Sequence, residues 1–154
     1  MTSAREHLIL CGGLLAAPVV GAGIAVYLTA AHAAGAPLAC NTGGLVDCAA
    51  VTRSGFSVVW GTQIPITIPG LAWFAVSCLL AVAALSGRDP GWLAPVHALW
   101  TVLALAFVIY LVYAELVVIN RVCAWCTAVH VLVLLTFVLA LRRLQLRAIS
   151  APPR

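Results

Sequence analysis

The stretch from Leu93 to Leu141 reads LAPVHALWTVLALAFVIYLVYAELVVINRVCAWCTAVHVLVLLTFVLAL. It is apolar along almost its whole length, and it is more than twice the roughly 20 residues that carry a helix across a bilayer. One crossing cannot hold it. The pair Asn120-Arg121 interrupts the tract, so the chain reverses there and makes two spanning helices, about Leu93 to Ile119 and Val122 to Leu141.

Two further apolar stretches precede this pair, about Leu8 to Ala34 and Ile68 to Leu85, the second being the shortest of the four. Ser86-Gly87-Arg88-Asp89-Pro90-Gly91 is a run of breakers and charges that reads as a tight turn before the third helix. Arg5 ahead of the first stretch, and small residues from Ala31 to Ala36 at its end, also suit a secretory signal. Its apolar run of about 25 residues exceeds the roughly 7–15 of a signal peptide, so a retained helix is expected. A lipoprotein box ending at Cys40 is disfavoured because Pro37 stands where a branched residue belongs.

The composition agrees with this reading. Of 154 residues, 64% are hydrophobic and 8% charged, with a mean hydropathy of +1.14. That is too little polar surface for a water-soluble globule. The expectation is a single domain, all-α and integral to the membrane: a four-transmembrane-helix bundle with a loop, about residues 35–67, between the first two helices. The net charge of +4 does not argue for nucleic acid, since the eight basic residues are all arginine and are scattered at segment ends. Four crossings put Arg5, Arg88, Arg142, Arg143, Arg147 and Arg154 on one side, and Arg53 and Arg121 on the other. The positive-inside bias then places both termini in the cytoplasm, with residues 142–154 as a cytoplasmic tail. The 35–67 loop and the Asn120-Arg121 turn share the outer face.

That parity brings four of the six cysteines together, because Cys40 and Cys48 lie in the loop while Cys123 and Cys126 open the fourth helix. In Cys123-Ala124-Trp125-Cys126 the two sulfurs share a helix face, and the unpaired N–H groups of the helix start favour a thiolate. This is how a reactive cysteine is made. Arg121 adds positive charge nearby, and apolar surroundings act in the opposite sense. Two blander readings compete: a zinc site with all four cysteines as ligands, and a purely structural Cys40–Cys48 disulfide. The widely spaced pair facing a C-x-x-C at a membrane helix end fits neither well, and no metal is expected. Cys11 and Cys78 lie inside apolar runs and read as small buried hydrophobes.

Cys40-x7-Cys48, Ser54 six residues on, a Pro/Gly-rich approach to a helix, and a C-x-x-C opening the last helix together resemble the vitamin K epoxide reductase family in its bacterial form. The resemblance covers roughly Leu8 to Leu141. It implies a bundle around a quinone, with the outer loop capping the quinone pocket and a thioredoxin-fold partner supplying electrons. Carried over by position, Cys40 meets the partner, Cys48 exchanges with Cys123, and Cys126 faces the quinone, menaquinone or ubiquinone, with Ser54 near it. Because the chain ends soon after the fourth helix, the expected partner is a separate protein. Vertebrate members carry a tyrosine four residues after the last cysteine and an asparagine before the second helix. Here His130 takes the first position and Ile64 to Gly70 holds no asparagine, which favours plain quinone reduction over epoxide reduction. The expected activity is therefore a quinone-dependent protein-disulfide oxidoreductase of the inner (plasma) membrane that supports disulfide formation in exported proteins. A disulfide bond formation protein B-like oxidase is disfavoured, since there the C-x-x-C comes in the first outer loop.

Three other features invite a role. His130, four residues after Cys126, shares its helix face and is able to donate to a quinone oxygen, with an interhelical structural hydrogen bond as the alternative. Glu115 is an ionisable residue inside a spanning stretch, with pairing to Arg121 as the simpler explanation. Phe56-Ser57-Val58-Val59-Trp60 gives the loop an apolar, aromatic face suited to lying on the membrane interface and capping a quinone pocket, with loop packing as the alternative. His97 reads as structural.

Overall fold

The computed structural model describes residues 4–40, 43–86 and 90–150. Four long helices form: α1 (Ala4–Ala34), α3 (Thr67–Leu85), α4 (Leu93–Tyr113) and α5 (Ala124–Ser150). A short α2 (Cys48–Thr52) and a single 3-10 turn (Gly55–Ser57) occupy the loop between α1 and α3. α4 does not stop at Tyr113 but widens into a π-helical segment, Ala114–Ile119, before the chain reverses. The protein is thus an all-α four-helix membrane bundle, and four of its helical stretches are long and apolar enough to cross a bilayer.

Packing runs in layers along the bundle. Cys11, Ala84 and Leu93 form one buried cluster, Leu14, Ala81 and Ala140 the next, and Ala25, Phe74 and Val133 a third towards the end that carries the 35–67 loop. Alanine is the commonest residue in these clusters because, between helices in lipid, there is no hydrophobic drive and close approach of backbones supplies the attraction. Outward-facing side chains are the large ones, with Leu79 70%, Leu99 62% and Ile109 63% exposed, as a lipid-facing surface requires. Polar side chains inside the bundle act as links. The Trp100 indole N–H donates to Ser77 Oγ at 3.1 Å, and the Trp73 indole donates to the Trp100 carbonyl at 3.3 Å. Thr29 donates to Thr67 Oγ1 at 2.7 Å, tying α1 to the start of α3.

Two expectations from the sequence need correction. The fourth helix begins at Ala124 rather than Val122, and it continues to Ser150. The 142–154 segment is therefore helical as far as it is described. Leu144, Gln145, Leu146 and Arg147 are all strong helix formers, and no glycine or proline interrupts the sequence before Pro152. Arg143 on this extension is buried, not a solvated tail residue. The first helix likewise starts at Ala4, one turn earlier than its apolar run. Gly87, Arg88, Asp89 and Arg154, used above for the turn and the charge bias, lie outside the described residues.

Gly21 sits where α1 crosses Phe74 of α3, and a Cβ built there would overlap the Phe74 ring. Overpacking of this kind costs about 1–3 kcal/mol. Gly21→Val is expected to lower the unfolding temperature of the detergent-solubilised protein. Gly23→Ala, where an added Cβ meets nothing within 4 Å, should hold or raise it. Equal unfolding temperatures for the two variants would show that the α1–α3 approach is looser than described.

Candidate active site

The 35–67 loop is tied down by local chemistry. Asp47 caps α2, its carboxylate accepting the Ala50 N–H at 2.9 Å, and so fixes Cys48 as the first residue of that helix. Ser54 starts the 3-10 turn, accepting the Phe56 N–H at 3.3 Å and donating its own proton to the Val51 carbonyl at 2.7 Å. Further on, Val59 N–H donates to the Ile64 carbonyl at 2.8 Å, closing a turn in which Gly61 takes a φ of +76°.

Two ties bring this loop to the start of α5. Val122 N–H donates to the Leu45 carbonyl at 2.9 Å and its own carbonyl accepts from Asp47 N–H at 3.0 Å, a parallel bridge centred on Val46. The Trp125 indole N–H donates to the Ala39 carbonyl at 2.8 Å, and the Ala39 N–H donates to the Tyr27 hydroxyl at 3.1 Å. The Tyr27 and Trp125 rings meet at 5.1 Å. Between these ties the cysteines converge. Cys40 and Cys48 form a disulfide with their Cα atoms 6.1 Å apart. Cys48 and Cys123 are both fully buried and share one apolar cluster with Val51, flanked by Cys40 and Cys126.

Cys123 and Cys126 are free thiols. Cys126 N–H donates to the Cys123 sulfur at 3.3 Å, and Cys123 N–H donates to Glu115 Oε2 at 3.4 Å. The Cys123 thiol is held below its ordinary pKa, chiefly because the Cys126 thiol donates a hydrogen bond to its sulfur; burial and the Glu115 charge oppose the shift. Cys11 and Cys78 take part in no disulfide among the described residues, and Cys11 packs in the layer at the far end of the bundle.

Beside Cys126 lies a cavity of about 480 Å³, roofed by the loop and walled by α1, the end of α4 and α5. Leu28 and Ala31, Val51 and Phe56, and Leu111 and Ala114 supply apolar lining, while Ser54, Glu115, Cys126 and His130 reach it as polar groups. His130 is buried and makes no hydrogen bond to any described residue, so the interhelical bond raised as an alternative does not form. Glu115 is also buried, and its expected pairing with Arg121 is absent. Arg121 is exposed and donates to the Asn120 carbonyl at 2.7 Å, because the turn points its side chain away from the cavity. The aromatic loop segment divides, with Phe56 against the Tyr110 ring and Trp60 99% exposed on the turn. His97 is buried in α4 and is not among the cavity's lining residues.

The sequence reading brought forward every cysteine at this site but missed the residues that hold them together. Tyr27 was legible as an interfacial aromatic near a helix end. Asp47, directly before Cys48 and three residues ahead of Ala50, carried a capping signal. The Val46–Val122 bridge had no local signal, since both residues look like ordinary apolar positions.

The model of the vitamin K epoxide reductase family matches residues 13–141, most of the chain. No curated protein matches it.

Since the Cys126 thiol is the main cause of the lowered Cys123 pKa, its removal has a defined sign. In the native dithiol, Cys123 should react with iodoacetamide at lower pH than an ordinary thiol does. Cys126→Ala should move that onset upward, as followed site by site with mass spectrometry. An unchanged or lower onset in the variant would show that Cys126 does not support a Cys123 thiolate.

Proposed function

This chain belongs to the vitamin K epoxide reductase family, whose members are membrane thiol oxidoreductases, and we propose that it carries electrons from a protein dithiol to a quinone. The observation that supports this best is the burial of Cys48 against Cys123, a disulfide cysteine and a free thiol held in one cluster. In the proposed sequence, a reduced thioredoxin-fold partner, a separate protein, attacks the Cys40–Cys48 disulfide at Cys40 and leaves oxidised. The freed Cys48 thiolate attacks a Cys123–Cys126 disulfide at Cys123, and Cys40 resolves the mixed bond, so the loop disulfide re-forms and the helix pair becomes a dithiol. Two electrons have then moved from the loop to the helix pair. The described state, loop disulfide with helix dithiol, corresponds to this point of the cycle.

The cavity fits a quinone headgroup. About 480 Å³ lies within the usual range for small-molecule sites, its lining is mostly apolar, and the unpartnered His130 is a ready hydrogen-bond group. Menaquinone and ubiquinone both suit it. When bound, a quinone supplies an acceptor for two electrons and two protons. Cys126, which reaches the cavity, is the cysteine assigned to face it, with His130 as donor to an acceptor oxygen and Ser54 shaping the roof through its bonds to Val51 and Phe56. The disulfide between Cys40 and Cys48 favours this redox reading over a four-cysteine metal site. We place the protein, as a single domain of residues 1–154, in the cytoplasmic (inner) membrane with both termini inside. The site then faces the exported proteins whose disulfides it supports.

Purified protein with a small dithiol and a soluble quinone tests the route. Cys126→Ala should abolish quinone reduction with every donor, while Cys40→Ala should keep reduction by a small dithiol and lose it with the protein partner. Equal loss in both variants with the small dithiol would refute the assignment of Cys40 as the partner-facing cysteine. The double variant Cys40→Ala/Cys126→Ala should accumulate a Cys48–Cys123 bond. After cleavage at a protease site engineered between Cys48 and α3, the two fragments should then stay joined until reductant is added. Fragments that separate without reductant would show that these sulfurs do not exchange.

A further inference from the structure

Glu115 is buried to 5% exposure, in a spanning stretch where an ionisable group is costly. Among the described residues no cation pairs with it. Its backbone is held unusually firmly: the carbonyl accepts both the Asn120 N–H and the Arg121 N–H, the latter at 3.0 Å, at the close of the π-helical segment. A π segment of this kind re-aims side chains, and here it presents the Glu115 carboxylate to the start of α5. One oxygen, Oε2, accepts from Cys123 N–H, and the carboxylate reaches the same cavity as Cys126 and His130. A structural cap needs one acceptor oxygen and no charge. Among the described residues no donor meets the second oxygen, which leaves it open to a proton.

We propose that Glu115 takes up the thiol proton released when the Cys123–Cys126 dithiol is oxidised, and that this deepens the quinone-reductase reading on which it rests. The balance is direct. As the Cys123–Cys126 bond forms, two S–H bonds break and two electrons and two protons leave the pair. The Cys126 proton passes to a Glu115 carboxylate oxygen and from there to one acceptor oxygen, returning Glu115 to a carboxylate. The second thiol proton goes to the other acceptor oxygen, and a quinone leaves as quinol. The other titratable and charged groups around Glu115 are Cys123 and Cys126 at the start of α5, His130 one turn on, His32 at the end of α1 and Arg53 in the loop.

Glu115→Gln separates proton uptake from capping, since the amide oxygen still accepts from Cys123 N–H but the side chain takes no proton. With small dithiol and quinone, the variant should turn over about 10²-fold or more slower at unchanged thermal stability, in the range of lost acid–base catalysis. The wild-type rate should fall on the acid side as Glu115 becomes protonated, and the variant should lose that limb. Glu115→Asp should recover part of the rate. A second readout needs no quinone: removing a negative charge beside the thiols should shift the alkylation onset of the Cys123/Cys126 pair down by about half a pH unit or more. Turnover within about twofold of wild type, or an alkylation onset that does not move, overturns the proposal. A wild-type protein that reduces no quinone sinks the function proposed above instead, and the quinone-free alkylation profile still decides whether Glu115 acts on the thiols.

Discussion

A bilayer gives no hydrogen bonds to a broken backbone, so the place where α4 ends and α5 begins is the most demanding point in this fold. Four consecutive residues, Asn120 to Cys123, leave the helical ladder there, and each of their N–H groups finds a partner. Asn120 and Arg121 donate to the Glu115 carbonyl, Val122 to the Leu45 carbonyl and Cys123 to the Glu115 carboxylate. Three of the four partners are atoms of one buried glutamate, and the fourth belongs to a loop more than seventy residues earlier. The demand of the turn therefore draws the loop onto α5. Because Cys48 follows three residues after Leu45 and Cys123 follows Val122, satisfying the backbone also brings two sulfurs into one cluster.

The same turn explains why the cavity lies where it does. Asn120 adopts a left-handed conformation, φ +55°, which ends the π segment sharply instead of letting α4 fade into a longer connection. A short reversal holds the end of α4 and the start of α5 side by side, while α1 and the loop lie across them. What remains between is too small for another helix and too large to be filled by Phe56 and Leu28. Apolar walls with two buried ionisable groups, His130 and Glu115, make such a space a poor place to be empty of polar chemistry.

Much of this was legible in the sequence because the bilayer imposes long apolar runs, and runs of that length have one reading. The four spans, the reversal at Asn120-Arg121 and the shared end of Cys40, Cys48, Cys123 and Cys126 all follow from lengths and parity. Features that depend on side-chain partners across the fold were not legible. Glu115 and Arg121, six residues apart and opposite in charge, suggest an ion pair by sequence, but the π segment turns the carboxylate inward and the reversal sends Arg121 out. The helical continuation to Ser150 escaped notice because hydropathy marks where lipid ends, not where a helix does. Val46 and Val122 pair through backbone alone, and backbone pairing leaves no trace in residue type.

The two cysteine pairs are held by different kinds of structure, and this bears on how electrons would pass between them. Cys123 and Cys126 sit at the start of a long helix anchored by packing along its whole length, so their spacing is rigid. Cys40 and Cys48 ride on a loop joined to that helix by a few hydrogen bonds, each contributing about 0.5–1.5 kcal/mol, and by the Tyr27–Trp125 contact. On the proposed route a partner protein reaches Cys40, which is half-buried, while Cys48 is fully buried against Cys123. Exposure thus falls along the proposed path from Cys40 through Cys48 to Cys123. With the loop disulfide closed, Cys40 holds Cys48 in place beside Cys123. Opening that disulfide frees the loop's first cysteine to move with a partner, while the Val46–Val122 bridge still keeps Cys48 at the helix start. On the proposed route, one end of the loop pair thereby exchanges with a partner protein without loosening the end that lies beside Cys123.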